Sequence, residues 1–121
     1  MKKVVLIADD SPTIRKFVAF SLTMQGFEVL AACDGMEAIE LLPGRKIDLV
    51  ITDLNMPNMD GFELIKAIRQ NEAYVDTPII ILSSLAGSEE IEKGMSCGAN
   101  SYMVKPFDPK RIQYEVAKYL N

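Results

Sequence analysis

Five short polar groups recur along this sequence, four of them directly behind apolar runs. Asp9-Asp10 follows Val4–Ala8, and Asp53 follows Leu49–Thr52. The turn Asn55-Met56-Pro57 comes next, Ser83-Ser84 follows Ile79–Leu82, and Lys105-Pro106 follows Tyr102–Val104. Carboxylates are oxygen ligands for a hard cation, and one of them can attack a phosphoryl group to form an acyl phosphate. A hydroxyl and an ammonium can each bind phosphoryl oxygens. If the apolar runs are parallel strands, ligands bind beyond their carboxyl ends. The three aspartates, the serine and the lysine then converge on one acidic pocket suited to phosphate.

Such convergence has an electrostatic cost. Two unit charges ~4 Å apart repel by about 4 kcal/mol at an effective dielectric of 20. Without a cation, at least one carboxylate should have its pKa raised. Mg2+ suits the site, because it takes oxygen ligands, keeps several waters and bridges to phosphate.

Taken singly, each group has a plainer reading. Asp10 could cap the first helix, and Asp60 is read as a helix cap and not as part of the chemistry. Ser83-Ser84 could be turn residues, Lys105 a solvated surface charge, and Pro106 a turn former. Met56, Met59 and Met95 read as packing and turn residues. It is their order, each group at a strand end, that makes the set specific.

The elements that must position these groups alternate along the chain. Pro12 suits a first helical turn, Ile14, Phe17, Val18 and Leu22 follow helical spacing, and Gly26 is a natural stop. Phe27–Ala32 reads as a second strand and Met36–Leu42 as a short helix ended by Pro43-Gly44. Ile47–Thr52 is the third strand, followed by a helix with Leu64, Ile65 and Ile68 inward. After the fourth strand, Ser88-Glu89-Glu90 opens a helix expected to turn Ile91 and Met95 inward. Ser101–Val104 is the fifth strand, and Asp108-Pro109 opens a last helix with Ile112, Val116 and Leu120 on one face. This alternation implies an α/β fold with a parallel sheet. The unbroken apolarity of strands one, three and four implies helices on both faces. Phe20 and Met24 fall off the inward stripe of the first helix.

The chain has 121 residues, 49% hydrophobic and 25% charged, enough for one core. Its net charge of −4 argues against a nucleic-acid partner, which needs a basic face. The apolar stretch behind Met1-Lys2-Lys3 ends at Asp9, too short for a signal peptide. No run reaches membrane-spanning length, so no membrane insertion is expected. Cys33 and Cys97 form no motif and read as reduced thiols of a cytoplasmic protein. There is no histidine. Ser-His-Asp triads and self-phosphorylating histidines are thereby excluded, so any phosphohistidine belongs to a partner.

From end to end the sequence resembles a response-regulator receiver domain of the CheY-like type. The resemblance rests on Asp9-Asp10, on Asp53-Leu54-Asn55-Met56-Pro57-Asn58-Met59-Asp60-Gly61, on Ser83, and on Tyr102-Met103-Val104-Lys105-Pro106-Phe107. It implies a doubly wound five-stranded parallel sheet of order 2-1-3-4-5, flavodoxin-like in architecture. Residues 1–121 are then expected to be a single receiver domain with no output domain. It further implies that Asp53 is the phosphoacceptor. Asp10 and Asp53 would bind Mg2+ directly, with the backbone carbonyl of Asn55, and Asp9 would act through water. Lys105 and Ser83 would serve the phosphoryl oxygens, the Lys-Pro bond would be cis, and Ser83 with Tyr102 would form the switch. The implied partners are a histidine kinase or histidine phosphotransfer protein and a downstream target such as a flagellar motor or other effector. Such a protein is a signalling switch, not an enzyme acting on a separate substrate.

Ser83 stands where threonine is frequent in the family, which keeps the donor and loses a methyl. Asn55 and Leu85 hold the positions that tune access of water to the phosphoaspartate, so phosphate lifetime stays open. An intermediate carrier in a phosphorelay is the alternative within the class. A flavin-binding protein would carry a hydroxyl- and glycine-rich loop behind the first strand, and a haloacid-dehalogenase-type phosphatase would carry Asp-x-Asp there. The adjacent aspartates fit neither.

Overall fold

A computed structural model describes residues 2–106 and 108–120. The elements alternate as expected: β1 (Val4–Ala8), α1 (Pro12–Thr23), β2 (Glu28–Ala32), α2 (Gly35–Leu41), β3 (Leu49–Thr52), α3 (Gly61–Gln70), β4 (Ile79–Ser83), α4 (Ser88–Cys97), β5 (Ser101–Val104) and α5 (Pro109–Ala117). The five strands form one parallel sheet in the order β2-β1-β3-β4-β5. Element ends differ from the sequence reading by a residue or two, and Leu120 lies beyond α5 yet is still buried.

The sheet separates two apolar layers. Alternate side chains along a strand point to opposite faces, so Leu6 and Ala8 of β1 go to one layer and Val5 and Ile7 to the other. The first layer packs against Ala38 of α2 and Leu64, Ile65 and Ile68 of α3. The second packs against Val18 and Leu22 of α1 and Ile112 and Val116 of α5. Each fully buried Val, Leu or Ile is worth about 1.5–3 kcal/mol, which fixes the strands and hence the register of their carboxyl ends.

Helix starts are set by side-chain caps. Ser11, not Asp10, caps α1, its hydroxyl accepting from the Ile14 N–H at 3.3 Å. Asp60 caps α3 as read, in a reciprocal pair with Glu63. Asp34 caps α2 and Asp108 caps α5.

One expectation is overturned. Met95 does not face inward; it is 41% exposed, and the residue that α4 buries is Gly94. Glycine adds nothing to a hydrophobic period, so the stripe drawn through Ile91 and Met95 misplaced this helix by about one residue. Phe20 and Met24 are exposed, as their positions off the α1 stripe imply.

Candidate functional site

The carboxyl ends of β1, β3 and β5 bring the distant polar groups together. Lys105 Nζ lies 3.0 Å from Asp9 Oδ2 and 3.4 Å from Asp53 Oδ2, although it is 96 and 52 residues away in sequence. Asp9 is fully buried and Asp10, the next residue, is exposed. The buried carboxylate is supported: its Oδ1 accepts from the Ser11 N–H at 2.9 Å and its Oδ2 from Lys105. Its backbone carbonyl accepts from Arg15 at 2.6 Å, a contact the sequence reading did not anticipate.

Asp53 is 7% exposed. Burial pushes its carboxyl above the ordinary carboxylate range, and the charge of Asp9 adds to the rise. The Leu54 N–H, which donates to Oδ1 at 2.7 Å, and Lys105 oppose it. The raised acid expected among three carboxylates is therefore Asp53. Thr52 donates its hydroxyl to the Asp53 carbonyl at 2.8 Å, and behind that carbonyl lies Gly61.

The loop carrying Asn55 is held by bonds that sequence reasoning missed. Asn58 has φ of 68°, a left-handed conformation that asparagine tolerates. Its amide donates to Asp34 Oδ2 at 2.7 Å, and the Gly35 N–H donates to the Met59 carbonyl at 3.2 Å. The amides of Glu37 and Asn58 hold the Asp34 carboxyl below its usual range. The run Asp34-Gly35-Met36-Glu37 carries a capping signal that could have exposed half of this link. Asn55 itself is exposed in the loop.

On the other side, Ser83 ends β4 almost fully buried, and its hydroxyl oxygen accepts from the Leu85 N–H at 3.1 Å. Tyr102, on the neighbouring strand opposite Ile81, is turned inward and packs against the first layer. Its phenol donates to the Leu85 carbonyl at 2.6 Å. Burial raises the phenol's pKa, the Ser83 hydroxyl opposes the rise, and Glu90 and Asp53 add to it. The Lys105-Pro106 bond is cis, as the resemblance implied; Phe107 of the same motif lies outside the described residues.

One carboxylate oxygen each from Asp9, Asp10 and Asp53 lies within 4.8 Å of the others. Hard oxygen donors gathered in this way fit Mg2+, which is content with few protein ligands and retained waters.

The fold is a doubly wound parallel sheet with an acidic pocket at its carboxyl edge, facing a lysine. The sequence profile of the response regulator receiver domain matches residues 5–117, and the chain belongs to that family. It is 38% identical to a chemotaxis protein CheY homologue of Campylobacter jejuni, over 96% of this chain and 91% of that protein. A probable transcriptional regulator ycf27 of Cyanidium caldarium is 36% identical over 96% of this chain but 45% of its own length. Among solved structures, the chemotaxis protein CheY4 of Vibrio cholerae superposes with a TM-score of 0.94 at 37% identity, covering 98% of this chain and 99% of that one.

Proposed function

We propose that this chain acts as a phosphorylation switch. Asp53 accepts a phosphoryl group from a phosphohistidine of a partner kinase or phosphotransfer protein, and the changed surface is read by a target. The observation that carries the proposal is the Lys105 ammonium bridging Asp9 and Asp53. It places a fixed positive charge beside the nucleophile, where phosphoryl oxygens would gather. Mg2+ bound at the carboxylates would supply further charge compensation in phosphoryl transfer. A carboxylate oxygen of Asp53 attacks phosphorus as the P–N bond of the partner's phosphohistidine breaks, its electron pair staying on the departing imidazole nitrogen. An acyl phosphate forms, Lys105 neutralises the transferred group, and Ser83 donates its hydroxyl to a phosphoryl oxygen. The reading places it in chemotaxis or motility signalling, supported by the likeness to CheY proteins along nearly their whole length. Among the described residues no helix is long and apolar enough to cross a membrane, and a cytoplasmic location is proposed with the function. Incubation with a small phosphodonor and Mg2+ should add one phosphoryl group by intact mass. No addition, or a yellow flavin spectrum of the purified protein, would overturn the proposal.

The metal assignment gives a sharper expectation. Both oxygens of Asp9 are engaged by protein donors, whereas Asp10 is exposed. Asp10→Ala should therefore weaken Mg2+ binding by about tenfold or more, and Asp9→Ala by less. A metal titration with the order equal or reversed rejects Asp10 as the direct ligand.

The switch can be tested separately. Phosphate at Asp53 should draw the Ser83 hydroxyl toward it, and the movement alters the space beside Tyr102. A ligand shifts such an equilibrium only through differential interaction with its two states. Ser83→Ala should still take beryllofluoride at Asp53, yet transmit a smaller chemical-shift response to β5 and α5. A full response in Ser83→Ala would show that the signal travels another way.

A further inference from the structure

We propose that Gly94 is a positioning residue for the switch: its missing side chain is the seat that lets Tyr102 lie inward and reach the Leu85 carbonyl. A Cβ at position 94 would stand 2.4 Å from the Ile81 δ-methyl and 3.6 and 3.7 Å from two ring carbons of Tyr102. The first distance is far inside van der Waals contact, so an added methyl must displace Ile81 or lift α4; the ring distances are ordinary contacts, so a single methyl reaches Tyr102 only through that displacement. Ile81 is fully buried in β4, directly opposite Tyr102 in the sheet register. Its end has little room to swing.

The rest of α4 is attached in a way that makes this contact decisive. Gly94 is its one buried residue, and no side chain caps its N-terminus at Gly87. Toward α3 it is held by Lys93, whose ammonium sits 4.2 Å from the centre of the Phe62 ring. At the far end the Gly98 carbonyl accepts from Arg69 at 3.0 Å. The helix is thus pinned along α3 and at its C-terminus, while on the sheet side Gly94 is its buried residue and Cys97 packs beside it on the same layer. Close approach at that point brings the Tyr102 ring into contact with the Gly94 position, and from there its phenol reaches the Leu85 carbonyl.

An ordinary mid-helix glycine gains stability when changed to alanine, because alanine has the higher helix propensity. The seat predicts a different outcome, read at Tyr102 itself. Gly94→Val carries methyls into the ring's place and should expel it, breaking the phenol bond to Leu85. By ring-proton NMR, with Tyr102 assigned from Tyr102→Phe, the Tyr102 signals should move toward those of a solvated tyrosine. Its phenol should also titrate closer to the ordinary tyrosine value, since burial is the main cause of its rise. Gly94→Ala should move the same signals part of the way. Adding Ile81→Val, which removes the methyl that the alanine strikes, should bring them back.

The inference rests on Tyr102 belonging to the switch proposed above, and beryllofluoride with Mg2+ separates the two. If the parent protein fails to bind the probe, the proposed function fails and the seat is judged on the Tyr102 signals alone. If parent and Gly94 variants bind it within about twofold of one another, but only the parent shifts Tyr102 on binding, the positioning role is supported. Tyr102 signals identical to the parent's in both Gly94→Ala and Gly94→Val overturn it. Should Gly94→Val not fold, Gly94→Ala and its Ile81→Val partner decide the matter.

Discussion

Asp53→Asn is expected to abolish phosphoryl transfer while making the metal-free protein more stable. The loss follows from the chemistry: an amide oxygen is a poor nucleophile, and no other carboxylate of the cluster shares its position. Asp9 is held on both oxygens and Asp10 is not in contact with Lys105. Labelling with a small phosphodonor should fall by about a thousandfold or more, the scale on which a removed nucleophile acts. The gain in stability follows from the raised Asp53 carboxyl. A group whose acid form is favoured by folding binds more protons in the native state than in the unfolded chain between its two pKa values. Stability therefore falls as pH rises through that window. The penalty is absent below the ordinary aspartate value, grows above it, and is complete once the folded carboxyl is ionised. At neutral pH in EDTA, Asp53→Asn should melt higher than the parent, and the difference should vanish near pH 3. Mg2+ should stabilise the parent and narrow the gap, because a ligand that binds the native state alone adds to its stability. Thermal melts at the two pH values check the sign. Undiminished labelling of Asp53→Asn would remove Asp53 from the mechanism, and a lower melting temperature at pH 7 would contradict the electrostatic account.

Much of this site is legible in the sequence because of where its groups stand. Asp9, Asp53, Ser83 and Lys105 each stand at the end of an apolar run, and a parallel sheet brings such ends to one edge whatever the loops do. The caps at Asp60 and Asp108 were also legible, because they act within three residues. What escaped notice depends on tertiary approach. The Asn58–Asp34 bond spans 24 residues between two loops, and nothing in either loop points to the other. The hydrophobic pattern points to Met95 and not to Gly94, because a glycine is silent in such a pattern even when it is the residue pressed on the sheet. The inward setting of Tyr102 could not be chosen from a ring that suits either environment. A hydrophobic period thus reports the layers well, and the closest backbone contacts poorly.

The closest of those contacts lies at Gly61. A Cβ there would fall 2.0 Å from the Asp53 carbonyl oxygen and 2.9 Å from the Leu54 Cα. Both are backbone atoms, so no rotamer change relieves the overlap. The Asp53 carbonyl already accepts from Thr52, and the Gly61 N–H donates to the Leu54 carbonyl at 2.9 Å, so the two segments are tied on either side of the clash. Gly61→Ala should gain about 1 kcal/mol of helix propensity and lose more to overpacking, which costs about 1–3 kcal/mol and at times exceeds that. With neither partner able to yield, the upper end applies, and a net loss of about 2 kcal/mol corresponds to a fall in Tm of roughly 5–10 °C. Gly87→Ser is the contrast, since a Cβ at 87 meets only the mobile end of Glu90 and serine is a good N-cap; it should be neutral or stabilising. The consequence reaches the chemistry because the displaced carbonyl and the nucleophilic carboxylate share one Cα. Asp53 Oδ1 is fixed by the Leu54 N–H and Oδ2 lies 3.4 Å from Lys105. Shifting that backbone by an ångström misaligns the carboxylate, and misplacement on this scale costs about a hundredfold in rate. Gly61→Ala should therefore be phosphorylated far more slowly at a temperature where it remains folded, with Mg2+ affinity reduced in parallel. A variant that melts like the parent and labels at the parent's rate would show that the backbone behind Asp53 has room to give.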